Sequence, residues 1–207
     1  STCMDLCHAL GWLPAGIYLD SPRAGPRELA RFHDPAYVAA VQTAEAEQRV
    51  SDAVRTRFGL GANGNPVFPE VFRRPATACG GSLAAADLVL AGTPTVYNPA
   101  GGTHHGRPAR ASGFCYFNDP VLAILRLLDR GCTRVLYVDL DAHHGDGVQD
   151  AFHADARVLT VSVHEDGRWP MAGADPGDRP VPGGSLDRAG GAARNIPVPR
   201  GFNDSEM

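Results

Sequence analysis

The chain has 207 residues, of which 43% are hydrophobic and 20% are charged, and its formal net charge at pH 7 is −4. This composition is typical of a soluble globular domain with a large core, and the slightly acidic balance gives no electrostatic reason to expect nucleic-acid binding. The most apolar helical stretch, residues 83–90, contains Asp87 and is too short to span a bilayer. No basic leader followed by an apolar block is visible in residues 1–16. We therefore expect neither a nucleic acid nor a membrane as a partner.

The cysteines are odd in number and scattered in spacing: Cys3, Cys7, Cys79, Cys115 and Cys132. This pattern argues against a disulfide framework and favours a reducing compartment, so we expect a cytoplasmic protein. Cys3 and Cys7 lie one helical turn apart and would form half of a zinc clamp. No second Cys or His pair of suitable spacing follows, so two reduced helix cysteines are the better interpretation.

Four helices are predicted from apolar residues at helical spacing and from two capping sequences that contain proline, Asp34-Pro35 and Asn118-Asp119-Pro120. The predicted helices cover residues 4–13, 37–50, 72–91 and 121–128. His33 is interpreted as a structural or capping residue. Gly80 and Gly81 lie inside the third helix, where each costs about 1 kcal/mol relative to alanine, so they predict close packing against a neighbour. Residues 59–69 form a surface loop, either the rim of a binding site or an inert connection.

The predicted strands begin at residue 95 and are separated by loops and helical segments. Strands are predicted over residues 95–98, 135–138 and 157–164, with an edge-like run at residues 195–199 and a Gly/Pro-rich loop over residues 169–191. Strands separated by helical segments indicate a parallel sheet, and ligands bind at the carboxyl ends of such strands. Ser162 is expected to face the central strand.

Three polar residues at spacing two, Asp139, Asp141 and His143, follow the central strand. In an extended chain they share one face, and two buried carboxylates are costly unless a positive charge lies between them. A lone Asp here would be an N-cap, but the whole D-x-D-x-H-H-x-D pattern predicts a metal site. The competing hypothesis is a phosphotransferase with Asp139 as nucleophile and Mg²⁺ as cofactor. His143 and the lack of a Gly-Lys-Ser/Thr loop count against it.

The second informative stretch places His104 and His105 in a glycine-rich loop after the strand predicted at residues 95–98. Asp139 and Asp146 are the carboxylates left to pair with them. A histidine that donates one ring nitrogen to a carboxylate is held in one tautomer and made more basic, which suits proton transfer near neutral pH. Phe114 and Tyr116 are either an apolar wall of the site or core aromatics.

Three segments, GGTHHGRPARASGFCYFND, YVDLDAHHGDGVQDAF and VLTVSVHE, resemble the zinc-dependent histone deacetylase superfamily, particularly its bacterial acetoin-utilisation-type members. The similarity runs over residues 32–199, and the Asp-Ala-His string also resembles the related arginase fold. The resemblance implies one α/β domain over residues 1–207, a three-layer α/β/α fold with a mainly parallel sheet of about eight strands and helices on both faces. It also implies that this domain is incomplete on its C-terminal side, and the start of the chain looks truncated as well.

The resemblance assigns roles to the residues of both motifs. Asp141 and His143 are implied as ligands of one catalytic Zn²⁺. His104 and His105 are the implied catalytic histidines, oriented by Asp139 and Asp146. The implied acyl-lysine tunnel is lined by Gly113, Phe114 and Cys115.

The resemblance further implies a structural K⁺ ion, held by Asp139, Asp141, His143 and Ser162 largely through backbone oxygens. A second monovalent site would use carbonyls near Phe152, Asp155 and Val158.

The implied reaction is hydrolysis of an acetyl-lysine amide by a zinc-activated water, with His105 moving the proton and His104 assisting electrostatically. The family's third zinc ligand (an Asp) and its oxyanion-stabilising Tyr belong to later motifs, which this sequence does not reach. Asn63-Gly64-Asn65 stands where an acidic substrate clamp is expected, which leaves acetylpolyamines or other small acetylated amines open as substrates. A catalytically silent binding module is the alternative from another class. The oligomeric state is not predicted.

Overall fold

The computed structural model describes residues 2–13, 16–62, 64–170 and 183–206. Within these ranges the helices are α1 (Thr2–Ala9), α2 (Pro26–Leu29), α3 (Pro35–Glu47), α4 (Asp52–Phe58), α5 (Arg73–Leu90), α6 (Asp119–Asp129) and α7 (Asp146–Phe152). The strands are β1 (Val135–Asp139), β2 (Val158–Glu165) and β3 (Ala193–Val198), and a 3₁₀ turn, Ala189–Gly191, precedes β3. None of the helices in the described ranges is both long enough and apolar enough to cross a membrane.

The sheet is parallel throughout and has the order β1-β2-β3. Ser162 lies opposite Asp139 on one side and Asn195 on the other, so polar residues line up across the carboxyl half of the sheet. The described part of the chain contains three strands rather than about eight. The strand predicted at residues 95–98 is wrong, because this segment pairs with no other strand in the described ranges and Tyr97 is 84% exposed.

Only one face of the sheet is covered by helices in the described part of the chain. Helices α6 and α7 pack there through Val121, Val148 and Phe152 against Val158 of β2. The opposite face presents Leu136 and Val138, which are 62% and 51% exposed. Parallel sheets are usually buried on both faces, so the expectation of two helical layers is met on one side of these three strands.

The larger core lies among the helices that precede the sheet. Tyr37 and Val41 of α3 and Cys79 of α5 are fully buried against Phe117, which belongs to the loop before α6. The Tyr37 hydroxyl donates a 2.6 Å hydrogen bond to the carbonyl of Tyr116. This core therefore supports the loop of residues 98–118, which carries the tandem histidines.

The capping residues read from the sequence are in place. The Asp34 side chain accepts the N–H of Ala36 and the Asn118 side chain accepts the N–H of Val121, each ahead of a helix with proline in its first turn. The helix predicted over residues 4–13 begins and ends earlier, at Thr2–Ala9, and the chain turns at Gly11 with φ +70°.

His33 has the structural role that the sequence predicts. Its ring is buried, its Nδ1 donates to the carbonyl oxygen of Arg107 at 3.0 Å, and its Nε2 accepts the N–H of Asn118 at 3.0 Å. These two bonds require the neutral ring, and burial lowers the pKa of His33 from 6.5 to about 4. His33 thereby fastens the loop of residues 98–118 to the helical core.

Close packing against neighbouring residues explains the paired glycines of α5. A Cβ at Gly80 would overlap the backbone carbonyl of Pro22, and one at Gly81 would lie 2.9 Å from the side-chain nitrogen of Asn98. Alanine normally stabilises a helix by about 1 kcal/mol relative to glycine. For Gly80→Ala we expect the opposite sign, a loss of about 1–3 kcal/mol in the free energy of unfolding, because the backbone of Pro22 must shift. Urea denaturation of the wild type and the variant measures it, and a stabilised variant would contradict this packing.

Candidate functional site

The site lies where β1 ends and the loop of residues 98–118 crosses the sheet. Asp139, the last residue of β1, is buried, and its Oδ2 accepts Nδ1–H of His104 at 2.6 Å and the hydroxyl of Tyr137 at 2.7 Å. Its Oδ1 accepts the N–H of Asp141 at 3.0 Å. With three donors around it, Asp139 orients its neighbours and is not placed as a nucleophile, which removes the basis for the phosphotransferase hypothesis.

A second His–Asp pair lies beside the first. His105 Nδ1 and Asp146 Oδ1 are 2.6 Å apart, and both side chains are buried. Asp146 also accepts the N–H of Gly147 at 2.8 Å and forms an ion pair with Arg107. The imidazole rings of His104 and His105 are 3.9 Å apart between centroids. The structure thus brings together the four residues that the sequence singled out for proton transfer.

Burial and hydrogen-bonded pairing shift the pKa values of these histidines and carboxylates in opposite directions. Burial alone would raise the pKa of Asp139, but the hydrogen bond and charge of His104 outweigh it and hold that pKa below its usual value. Burial likewise opposes ionisation of Asp146, whose pKa is nevertheless lowered by the His105 hydrogen bond and the Arg107 charge. For His104, burial disfavours the imidazolium, yet the hydrogen bond and charge of Asp139 raise its pKa overall. Both carboxylates are therefore ionised near neutral pH.

Asp141 and His143 come together by turns and not by a continued strand. β1 ends at Asp139, so the predicted shared face of an extended chain is wrong beyond that residue. Instead, Asp139 and Asp141 each accept the backbone N–H two residues further on, which curls the chain back on itself. The Asp141 Oδ1 and His143 Nδ1 atoms end up 2.8 Å apart. The side chain of Asp141 is 51% exposed, so only one of the two carboxylates predicted to be buried is buried.

The donor set at Asp141 and His143 fits zinc in kind. A carboxylate oxygen and an imidazole nitrogen lie 2.8 Å apart, and His104 Nε2 lies 3.8 Å from Asp141 Oδ1. In the described ranges no group of three or more His, Cys, Asp or Glu side chains is placed to hold a metal ion. A catalytic zinc normally has three protein ligands, so these two residues would supply part of its coordination.

The tandem-histidine loop is held by two residues that the sequence analysis treated only as helix-capping residues. Asn118 Nδ2 donates to the carbonyls of His104 and Gly106, both at 3.0 Å. Asp119 is buried and accepts the N–H of Thr103 at 2.8 Å and the hydroxyl of Ser82 at 2.6 Å. Their side chains fix the backbone on both sides of the histidines, and the sequence signal was an Asn-Asp pair that N-capping alone explained.

The predicted tunnel residues lie against His105. Gly113 has φ +52°, and a Cβ there would lie 2.7 Å from His105 Cδ2 and 2.5 Å from the ring of Trp169. Phe114 is 73% exposed, and its N–H donates to Asn65 Oδ1 at 3.0 Å. Cys115 is buried, and burial raises its pKa to about 11, so its thiol stays protonated.

These contacts bear on two questions that the sequence left open. Phe114 is exposed and is therefore not a core aromatic, and its place in the wall of the site stays a prediction, whereas Tyr116 is a buried core residue whose hydroxyl donates to the carbonyl of Pro66. In the loop predicted over residues 59–69, Gly64 and Asn65 lie beside Phe114, because a Cβ at Gly64 would lie 3.3 Å from its ring and Asn65 Oδ1 accepts its N–H. In the segment Asn63-Gly64-Asn65, where an acidic substrate clamp was expected, Asn63 lies outside the described residues.

Trp169 is a site residue that the sequence analysis did not single out. Its ring lies 4.8 Å from His105 and 6.1 Å from His143 between centroids, in edge-on contacts. The available signal was a large aromatic residue shortly after the carboxyl end of β2, where ligands bind in parallel sheets. The loop predicted over residues 169–191 lies largely outside the described ranges, since residues 171–182 are not among them.

The four residues predicted for the first monovalent site lie around one turn. Asp139 and Ser162 are opposite each other in β1 and β2, and Asp141 and His143 follow Asp139. Ser162 Oγ accepts the N–H of Gly145 at 3.3 Å and bonds His164 Nδ1 at 2.9 Å. The potassium ion itself stays a prediction.

The second monovalent site also stays a prediction. The carbonyl of Phe152 accepts the N–H of Asp155 at 2.9 Å, and the carbonyl of Asp155 accepts the N–H of Val158 at 3.1 Å. These oxygens belong to the tight turn that joins α7 to β2.

Comparisons with known proteins agree with this geometry. The family model described as "Histone deacetylase domain" matches residues 1–207. The acetoin utilization protein AcuC of Bacillus subtilis is 38% identical over 170 residues, which are 82% of this chain and 44% of that protein. Histone deacetylase 8 of Xenopus tropicalis is 37% identical over 207 residues, 98% of this chain and 53% of that protein.

A solved structure has the same fold. The crystal structure of a histone deacetylase homologue from Aquifex aeolicus superposes with a TM-score of 0.85 and 34% identity, covering 98% of this chain and 53% of that one. The chain thus spans about half the length of the relatives it matches. The full-length match to the family model, the identity to curated relatives and the shared fold together show that this chain belongs to the histone deacetylase family.

Proposed function

We propose that this chain supplies the proton-transfer residues and part of the metal site of a zinc-dependent deacetylase that hydrolyses the acetyl-lysine amide bond. The observation that carries the proposal is the adjacency of two buried His–Asp pairs to the Asp141–His143 donors. Deacetylases of this family are generally zinc-dependent. The 207 residues would form part of a single domain of that kind, in the cytoplasm, as the five free cysteines favour.

The zinc ligands proposed in this chain are Asp141 and His143. A zinc ion held there would act as a Lewis acid: it would polarise the acyl carbonyl and lower the pKa of a water, so that the water can lose a proton and attack as the nucleophile. His104 is the residue nearest that point, with Nε2 3.8 Å from Asp141 Oδ1. We assign it an electrostatic role, because its pKa is raised by Asp139 and a retained proton stabilises negative charge on the reacting carbonyl oxygen.

We assign the proton transfer to His105. Asp146 engages its Nδ1, which fixes the tautomer and leaves Nε2 as the atom able to take a proton from the attacking water and deliver it to the leaving amine. Its ring faces Trp169 and Gly113, on the side where the acyl chain would enter. Asp139 and Asp146 orient the two imidazoles without touching substrate.

Phe114 and Trp169 are the proposed apolar walls for the methylene chain of the substrate lysine. An acetylated lysine in a protein or peptide suits these walls. Arg168 contacts His143 at 3.3 Å, but its charge is offset by an ion pair with Glu165 at 2.7 Å, so acetylpolyamines stay the alternative substrate class. Potassium at Asp139, Asp141, His143 and Ser162 is proposed as a structural ion only.

Gly113→Ala tests the tunnel. A methyl group at this position would meet both His105 and Trp169, and φ +52° already disfavours a side chain. We expect kcat/KM for an acetyl-lysine peptide to fall by about 10²-fold, as misplacement of a catalytic group by about 1 Å does. Gly167→Ala, also at positive φ but with nothing within 4 Å of the added Cβ, is the matched control. Equal activity of both variants would rule out a tunnel wall at Gly113.

The function is tested by turnover of an acetyl-lysine peptide and of acetylspermidine by purified, zinc-loaded protein. The expected result is acetate release from the peptide, abolished by a chelator and restored by zinc, with slower release from the polyamine. Faster polyamine hydrolysis would favour the small-amine alternative. Zinc binding without turnover of either substrate would identify a silent binding module and refute the proposed hydrolase.

A further inference from the structure

The two His–Asp pairs differ in the additional side chain that contacts each carboxylate. Behind Asp139 is a neutral hydroxyl, that of Tyr137, at 2.7 Å. Behind Asp146 is the guanidinium of Arg107, which binds Oδ2, the oxygen that His105 does not use. Arg107 has no role in the proposed reaction as described so far, although its charged group is in direct contact with the carboxylate that orients His105.

Arg107 binds two carboxylates on one face of α7. Its Nη2 contacts Asp146 and its Nη1 contacts Asp150. These aspartates are four residues apart in the helix, so both project toward the same side. A planar guanidinium with two separate nitrogen donors matches that arrangement, whereas an ammonium group presents one point charge. The interaction ties the histidine loop to α7 at two points.

The backbone of Arg107 is fixed as well. Its N–H donates to the carbonyl of Arg110 at 3.0 Å, and its own carbonyl accepts Nδ1–H of His33 at 3.0 Å. Arg107 is two residues beyond His105 in the sequence. A side chain anchored to α7 and a backbone anchored to the core therefore determine where this part of the loop lies relative to Asp146.

We propose that Arg107 is a positioning residue for the proton-transfer pair. By occupying Asp146 Oδ2 it turns Oδ1 toward His105 Nδ1 and the N–H of Gly147, which stand 2.6 Å and 2.8 Å away. This orientation keeps the His105 ring in the tautomer whose Nε2 is available for the reaction. The inference rests on the proposed function for its catalytic consequence, but the hydrogen bond it concerns exists without turnover.

The first test is spectroscopic and needs no activity. A strongly bonded Nδ1 proton gives a deshielded proton NMR resonance, assigned to His105 by its absence in His105→Gln. In Arg107→Met we expect this resonance to move or broaden beyond detection, and in Arg107→Lys to be partly retained. Guanidinium at a concentration that leaves the circular dichroism unchanged should restore it in Arg107→Ala. Arg130→Met, which removes an exposed arginine, is the charge-matched control.

The second test is kinetic. In Arg107→Met we expect kcat to fall by about 10–100-fold with little change in KM, since orienting partners of catalytic groups are worth about that much. Asp150→Asn, which loosens one arm of the guanidinium, should give a smaller fall. An unshifted His105 resonance in both Arg107→Met and Arg107→Lys would overturn the inference. An inactive wild type with the resonance pattern as expected would refute the deacetylase proposal and leave the positioning role of Arg107 intact.

Discussion

Replacement of His105 by alanine is expected to lower kcat for deacetylation by about 10²–10⁴-fold, the usual contribution of a positioned general acid–base group. Among the described residues, His104 is the other imidazole paired with a buried carboxylate at the site, and its proposed role is electrostatic. Asp146 holds the Nδ1 of His105, and the His105 ring lies beside both Trp169 and Gly113, where the substrate would pass. KM should change much less, because the imidazole acts on the proton and not on the binding of the acyl chain.

Two companion variants make this result specific. His104→Ala should also reduce kcat, through loss of the charge next to Asp141, but exogenous imidazole should restore proton transfer only in His105→Ala. His153→Ala removes the exposed histidine that immediately follows α7, and it should leave kcat unchanged. Wild-type kcat in His105→Ala would show that the proton moves by another route.

The second large effect expected is on stability, and its source is His33. Folding lowers the pKa of His33 from 6.5 to about 4, because burial disfavours the charged ring by more than the hydrogen bond to the Arg107 carbonyl favours it. Above pH 6.5 neither the folded nor the unfolded state carries the proton, and stability is complete. As the pH falls below 6.5 the unfolded chain takes up a proton that the folded protein refuses, so stability declines until about pH 4. The pKa change corresponds to about 3 kcal/mol at about 1.36 kcal/mol for each unit.

Urea denaturation between pH 4 and pH 7.5 measures this effect as a difference between proteins. Asp139 and Asp146 also titrate on the acid side, since their pKa values are lowered in the folded state, and the difference curve removes their contribution. We expect His33→Gln to be less stable than the wild type at pH 7.5 and to lose the slope between pH 6.5 and 4. The exposed histidine variant His153→Gln should keep that slope. A His33→Gln curve parallel to the wild type would assign the acid sensitivity to other groups.

Local patterns predicted much of the helical architecture and most of the proton-transfer site. The N-caps Asp34 and Asn118 and the close packing of Gly80 and Gly81 follow from rules that act within one or two turns. Reasoning from the residues predicted Asp139 and Asp146 as partners of the tandem histidines, and the resemblance to the histone deacetylase superfamily assigned Asp139 to His104 and Asp146 to His105, as the structure pairs them.

The incorrect or missing predictions all depend on contacts between residues that are distant in the sequence. Alternating residues at positions 95–98 fit a strand, but a strand exists only where a neighbour accepts its hydrogen bonds, and Tyr97 is exposed instead. Spacing two predicted a common face for Asp139 and Asp141, whereas the chain leaves the sheet at Asp139 and turns. Trp169 contacts His105 because of the path of the chain after β2, and its position shortly after the carboxyl end of that strand was the only local signal of this contact.

The central claim is that a metal ion is held at Asp141 and His143 beside the two His–Asp pairs. The most direct measurement is the metal content of purified protein by mass spectrometry, for the wild type and for Asp141→Ala, His143→Ala and His104→Ala. The account predicts about one zinc per chain in the wild type and in His104→Ala, and almost none in the other two, since each removes a ligand. Zinc retained at the wild-type level in both Asp141→Ala and His143→Ala would contradict it.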